Sequence, residues 1–483
     1  MTPEREAMTS TSLDAAKPMY SSGYRSKVLI ILLMVYTSNF IDRTIIGTIG
    51  QAIKVDLDLT DTQLGLLQGL AFAVLYTTLG IPIARLAERK SRVNIITICI
   101  VIWSAFTALC GIAQNFVQLL LYRVGVGIGE AGCSPPAHSL IADYYPPKAR
   151  ATALSIYSFG IPLGTMFGAV AGGWLAQNVS WRAAFFMVGL PGVLLALAVK
   201  LFIKEPPRGY SEATDSSAPA ALTGAAPTLM QTARRLFGRW SFVHMTIGIT
   251  LASFASYGTG GFVAPYFIRN FGLDYAQVGL VVGVVFGISQ GAGTLLGGFL
   301  TDLAAKRSGV WYALVPAIGL AIATPLYLAV YLFDSWQSAA LMLLIPGVFH
   351  FVYLGPTFGV MHNLVEPRMR ATATALLFLV LNLVGLGFGP LFTGWAIDMF
   401  SVGLFDAAAT GAGAFNAACP GGEAPAGAGA ALSQACADSL AGGTRRGLMA
   451  TVLIYAWASL HYLLAARWIV RDLREAAQRR GDA

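Results

Sequence analysis

Val93–Ala113 reads VNIITICIVIWSAFTALCGIA, 21 residues without a charged side chain. A helix rises about 1.5 Å per residue, so about 20 such residues match the hydrocarbon core of a bilayer. On the amino-terminal side, Val28–Ile41 and Leu64–Leu79 are almost as uniformly apolar, and comparable runs recur to the end of the 483-residue chain. Hydrophobic residues make up 56% of the chain and charged residues 12%, against roughly 25% charged in a soluble domain. A water-soluble globule is excluded. Membrane β-strands would alternate apolar and polar residues over about ten positions, and these runs do not. The pattern predicts twelve spans, at 28–50, 63–84, 93–113, 117–140, 150–176, 181–203, 242–268, 276–301, 310–332, 337–362, 370–398 and 448–470. The fold class expected is an all-α membrane protein, with twelve transmembrane helices in two pseudo-symmetric six-helix bundles.

An even number of spans puts both termini on one side. Most of the 32 Lys and Arg residues fall on that side. The other holds Lys54, Arg182, Arg269, Arg445 and Arg446, while Arg43 and Arg123 lie inside spans. The positive-inside rule then makes the termini cytoplasmic, and the net charge of +8 is mostly topological, leaving nucleic acid unsupported as a partner. Residues 1–27 form a cytoplasmic amino tail lacking the order of a cleavable signal, 28–203 the first bundle and 204–241 a cytoplasmic linker. Residues 242–470 form the second bundle and 471–483 the carboxyl tail. The Ser/Ala/Pro/Thr-rich stretch 209–228 predicts flexibility. After it, Leu229, Met230, Ala233, Leu236, Phe237 and Trp240 recur at helical spacing beside Arg234, Arg235 and Arg239. That pattern suits a helix in the headgroup layer, or a simple extension of span seven. The external loop 401–446 carries Cys419 and Cys436, which an oxidising periplasm would allow to pair. The inner membrane of a bacterium is the expected location.

At an offset of 220 positions, Pro136 aligns with Pro356, Pro147 with Pro367, and Arg150, Ala151, Thr152 and Ala153 with Arg370, Ala371, Thr372 and Ala373. One residue of slippage later, Phe167, Gly168, Gly173 and Trp174 align with Phe388, Gly389, Gly394 and Trp395. At an offset of 214, Leu86 and Glu88 align with Leu300 and Asp302. Tandem six-helix repeats of this kind place a substrate at their interface near the midplane, with rocking of one half on the other giving alternating access.

Charges at bilayer depth cost about 3 kcal/mol each unless paired or hydrated, so intramembrane charges are functional candidates. Span one carries Asn39, Asp42 and Arg43, and span four carries Arg123 and Glu130, about two turns apart on one face. Either these form fixed ion pairs that hold the bundle, or Asp42 and Glu130 bind protons or a cation while Arg43 and Arg123 bind an anionic group. The second half offers Tyr257, Tyr266, His350, Tyr353, Phe378 and Asn382 to an apolar tail. His138 and His350 are candidate proton relays or structural histidines. After span two, Arg85, Glu88, Arg89 and Arg92, with Asp302 in the second half, form a candidate gate or a simple topological anchor. Gly160, Gly164, Gly168, Gly172 and Gly173 in span five predict close helix packing. No nucleotide-binding loop or hydrolase motif occurs, so neither ATP-driven pumping nor an enzyme is expected. No cofactor or metal site is expected either.

Asn39 to Arg43, Gly127 to Ala131, Leu140 to Asp143, Leu154 to Tyr157, Ile161 to Gly164, and Glu205 to Gly209 together resemble the spinster group of the major facilitator superfamily. Arg123 followed by Gly127 and Gly129 is similar to a span-four motif associated with proton-coupled export. The sequence departs from the pattern at Glu88, where Asp is usual, at Ala84, and at Pro135, Pro136 and His138. The resemblance implies the major facilitator fold and proton-linked export of lysophospholipid or sphingosine-1-phosphate-like lipids. It also implies that Asp42, Arg43, Arg123 and Glu130 line a central cavity. Alternatives are a multidrug or organic-anion proton antiporter, and a lipid sensor or scramblase. The expected partners are an amphipathic substrate, protons and membrane lipids, with the chain a monomer.

Overall fold

Inside hydrocarbon a backbone must satisfy its own hydrogen bonds, so each apolar run becomes a helix. The computed structural model describes residues 20–208, 210–213, 228–366, 369–408 and 411–480. The amino tail through residue 19, most of the expected linker (209 and 214–227), Pro367 and Arg368 lie outside the described residues. Among the described residues eleven helices are long and apolar enough to cross a membrane: Ser22–Asp56, Asp61–Ala87, Arg92–Cys110, Thr152–Asn178, Trp181–Phe202, Trp240–Phe271, Tyr275–Ala305, Trp311–Val330, Trp336–Leu364, Thr372–Ala407 and Ala430–Ala466. They are spans one to three and five to twelve. Span four crosses in two pieces, Phe116–Glu130 and Ser134–Tyr144.

The break in span four has a local cause. Pro135 and Pro136 have no N–H to donate back along the helix and crowd the turn before them. Span ten repeats the break, as Trp336–Phe351 and Leu354–Leu364 with Pro356 in its second piece. Ser134–Tyr144 and Leu354–Leu364 coincide at the repeat offset of 220, so the pseudo-symmetry extends to backbone geometry. Leu32, Val35, Ile96 and Trp103 belong to the core of the first bundle. Phe262, Leu320, Val330 and Tyr455 belong to that of the second.

Two features differ from expectation, the helical external stretch and a π-helical turn in span eleven, while the cysteine pairing and the separate amphipathic helix each realise a reading that the sequence left open. The stretch read as an external loop is largely helical, because span eleven runs on to Ala407 and span twelve starts at Ala430, as Ala-rich sequence favours. Cys419 and Cys436 are joined in a disulfide within it. The amphipathic stretch is a separate helix, Leu229–Phe237, capped by Thr228 and ended at Gly238, rather than an extension of span seven. Span eleven also contains a π-helical turn, Leu381–Leu386.

The bundles meet along two glycine seams. Of the span-five glycines, Gly164, Gly168 and Gly172 pack on Phe40, Ile41 and Ile45 of span one, within the first half, and Gly173 lies against the Tyr275 carbonyl of span eight. Gly65 in span two lies against the Pro390 carbonyl of span eleven, where a Cβ would collide with backbone. Gly65→Ala is therefore expected to wedge these spans apart, at about 1–3 kcal/mol for overpacking. Disulfide cross-linking between engineered cysteines on spans two and eleven should fall relative to the unaltered seam.

Candidate functional site

Adjacent residues on span one point about 100° apart around the helix, so Asp42 and Arg43 have different partners. Asp42 is fully buried between spans three and four, accepting from Thr107 Oγ1 and from Arg123 Nη1 at 3.2 Å. Arg43 Nε donates to Glu130 Oε2 at 2.7 Å. The Arg43 side chain retains 15% exposure and that of Glu130 none. The spacing of Arg123 and Glu130 on one face is thus realised as two ion pairs to neighbouring residues of span one. Only the Arg43 pair keeps access to open space.

That pair lies in an aromatic cage. The Arg43 guanidinium sits 5.1 Å from the ring centroid of Phe40, 4.8 Å from that of Phe72 and 4.5 Å from that of Tyr76. Tyr257 of span seven packs against the first-half core and lies within electrostatic reach of Arg43. The cage escaped the sequence reading, although Tyr36, Phe40 and Arg43 lie at one-face spacing, as do Phe72 and Tyr76. Four buried atoms in the pairs or one turn from them have no hydrogen-bond partner among the described residues: Asn39 Oδ1, Asn39 Nδ2, Arg123 Nε and Glu130 Oε1. Such atoms cost about 1–3 kcal/mol each, and a polar ligand would satisfy them.

The remaining second-half candidates do not gather here. Tyr266 is buried among Phe267, Phe271 and Tyr331. His350 occupies the position that Glu130 holds in the first half, at the offset of 220. It is a satisfied core histidine, with Tyr327 Oη at 3.1 Å and Tyr455 Oη at 3.4 Å. Tyr353 packs near it and faces Ser253. Phe378 is exposed beside Phe358, and Asn382 lies in the π-helical turn next to span two. His138 is exposed, edge-on to Tyr157.

A second charge cluster, unanticipated from sequence, bridges the halves near the disulfide. Lys54 Nζ donates to Asp61 Oδ2 at 2.6 Å, and Arg269 donates to both Asp61 oxygens, at 2.7 and 3.0 Å. Arg269 also reaches Gln51 and Thr444. Asp398 of span eleven accepts from the Asp61 and Thr62 amides at 2.9 and 2.7 Å, placing an anion at the N-terminus of the span-two helix, where its dipole favours one. Lys54 and Arg269, counted from sequence as loop charges, are buried.

At the opposite, terminal face the five expected gating residues separate. Arg85, Glu88, Arg89 and Asp302 are exposed. Arg92 is buried, pairing with Asp143 and, at 2.7 Å, with Glu205. Glu205 also accepts from the Val93 amide and Ser91, and Arg208 binds the Ala87 and Lys90 carbonyls. These contacts tie the end of span six to the start of span three within one half. Burial raises the Glu205 carboxyl, but the Val93 amide, Arg92 and Ser91 outweigh it and hold it below its ordinary value. A depressed carboxyl stabilises above its unfolded value and loses that effect as pH falls through the folded one. Glu205→Gln should therefore lower Tm at neutral pH, with the difference beginning to shrink as pH falls past the ordinary Glu value of about 4.3 and vanishing only below the lower folded value. Melting curves across pH test this.

The Major Facilitator Superfamily model matches residues 32–390. An MFS-type efflux pump of Mycolicibacterium smegmatis (strain ATCC 700084 / mc(2)155) is 31% identical, over 76% of this chain and 83% of that protein. Protein spinster of Drosophila melanogaster is 27% identical, over 75% of this chain and 60% of that one. The crystal structure of a bacterial homolog to the human lysosomal transporter Spinster, in an inward-facing and unoccupied conformation, is 37% identical with a TM-score of 0.84. It covers 94% of this chain and 99% of that one.

Proposed function

We propose, on the premise that this chain belongs to the major facilitator superfamily as a spinster-type transporter, that it moves an amphipathic lipid with an anionic head together with protons, by alternating access. Lysophospholipids and sphingosine-1-phosphate-like molecules have this chemistry. The carrying observation is the Arg43–Glu130 pair in its aromatic cage, beside the unpartnered atoms of Asn39 and Glu130. A phosphate that takes Arg43 removes the cation facing Glu130, and the carboxylate then takes up a proton. Each ligand thereby favours the other, a reciprocal coupling. The apolar tail would lie along spans seven and eleven, near Tyr257, Phe378 and Asn382. Asp42 and Arg123, one layer deeper, hold span one against span four and position the pair.

With the halves bridged near the disulfide, substrate would reach the pair from the terminal face. By the positive-inside rule that face is cytoplasmic, and similarity to a solved inward-facing structure supports the same orientation. The bacterial relatives support an inner-membrane location, and a monomer would suffice. Proteoliposomes with an imposed pH gradient test the proposal. Accumulation of a fluorescent lysophospholipid should depend on the gradient and vanish in Glu130→Gln. Flux indifferent to both, or passive exchange without accumulation, overturns it.

A second reading is favoured by the 31% identity to an efflux pump. A substrate with a cationic group would compete with the proton for Glu130, and exchange of the two would drive export. The sign separates the readings: acid strengthens binding of an anionic head and weakens binding of a cationic one.

A further inference from the structure

A basin of about 630 Å³ lies at the terminal face, between the linker helix Leu229–Phe237 and the terminal helix Ile469–Arg480. Arg234, Arg235 and Arg239 line it from one side, and Arg471 and Arg479 from the other. Among the described residues three carboxylates answer these five guanidinium groups: Asp472, Glu475 and Glu366, the last at 3.7 Å from Arg235 outside the lining. Asp472 accepts from the Ser241 amide at 3.2 Å and Ser241 Oγ at 2.6 Å, and it also lies 3.4 Å from Arg471 and 4.0 Å from Arg239. Glu475 is loosely placed, 3.7 Å from Arg239 and 3.8 Å from Arg471. Arg234 and Arg479 form no ion pair among the described residues, and the buried Nε of Arg235 has no hydrogen-bond partner. Burial pushes the Arg239 guanidinium below its ordinary value, with Arg479 and Arg235 adding to the effect against Asp472 and Glu475. The basin is thus positively charged and short of anions, with planar forks suited to phosphate oxygens.

The surroundings point to a membrane source for that anion. Leu229, Met230, Phe237 and Trp240 beside the basin are 50%, 75%, 46% and 58% exposed. The ring centroids of Trp240 and Trp468 lie 6.4 Å apart, at the level where tryptophans mark the membrane interface. Apolar side chains beside a cationic cleft suit a molecule with acyl chains, and a soluble anion would gain nothing from them.

We propose that this basin binds the phosphate-bearing headgroup of an anionic membrane lipid, at a site separate from the central transport site. Docked there, the headgroup holds the linker helix against the terminal helix, and so fixes the point where the connection between the halves enters the second bundle.

Native mass spectrometry on the full-length protein tests the proposal, using phosphatidylglycerol, phosphatidylcholine and inorganic phosphate. On the unaltered protein phosphatidylglycerol should outcompete phosphatidylcholine, and equal retention overturns the site whatever any variant does. Arg234→Gln with Arg479→Gln should weaken phosphatidylglycerol by roughly thirtyfold, about fivefold per arginine near a charged surface. Lys306→Gln with Arg307→Gln, the same charge change elsewhere on this face, should leave it unchanged. Equal losses in both double variants would reduce the effect to general surface charge and overturn the proposal. Displacement of the lipid by inorganic phosphate at matched concentration would identify a soluble anion as the occupant and overturn it too.

Discussion

Asp61→Asn is expected to open the seam at the disulfide face. The Asp61 carboxylate takes Lys54 at 2.6 Å and Arg269 at 2.7 and 3.0 Å, and the two cations are 2% and 3% exposed at their side chains. An amide in that place leaves two buried like charges with too little counter-charge. Breaking a buried pair from one side costs about 3–5 kcal/mol, and 1.4 kcal/mol is tenfold, so the closed arrangement should lose at least about a hundredfold in population. Spin labels at the disulfide-face ends of spans one and eleven should report a longer distance, and an unchanged distribution would refute the assignment. Well-packed apolar replacements of a buried ion cluster are often neutral or stabilising. Asp61→Leu with Lys54→Met and Arg269→Met should accordingly recover Tm, separating loss of the seam from loss of the fold.

Glu130→Gln should make binding of an anionic lipid independent of pH. In the unaltered protein the Glu130 carboxylate competes with the lipid phosphate for Arg43, and protonation ends the competition. Affinity should therefore rise as the medium is acidified. Gln keeps the shape of the side chain without its charge, leaving Arg43 available at every pH. The lost dependence should amount to the usual range of coupling energies, about 1–3 kcal/mol or roughly 5–150-fold. Equilibrium binding of a fluorescent lysophospholipid, measured from acid to alkaline pH, checks this. A pH dependence that survives in the variant moves the proton to another group. Asp42→Asn should behave differently. It leaves Arg123 buried without its counter-charge behind the site, so the main loss is about 3–5 kcal/mol of stability, with the pH dependence of binding retained.

The two substitutions also mark where sequence and structure part. The twelve spans were legible because length and hydropathy are properties of one helix at a time. The repeat was legible as well, down to Pro136 and Pro356, which break spans four and ten at equivalent points. Helix pitch alone put Arg123 and Glu130 on one face. None of these inferences requires knowing how one helix is rotated against another.

Partner choice does require it. Asp42 and Arg43 are neighbours in sequence, yet one is sealed among spans three and four and the other meets an aromatic cage and Tyr257. Lys54, Asp61, Arg269 and Asp398 come from four different spans or their ends, and single-span reading gives them no common feature. Arg92 looked like Arg85 and Arg89 until Glu205 and Asp143 were seen beside it. Sequence by itself determined which segments enter the membrane and which charges they carry in. Only the tertiary structure decided which charges meet, because glycine contacts and proline breaks set the rotation and depth of each helix, and a side chain's partner changes with a turn of about 100° per residue.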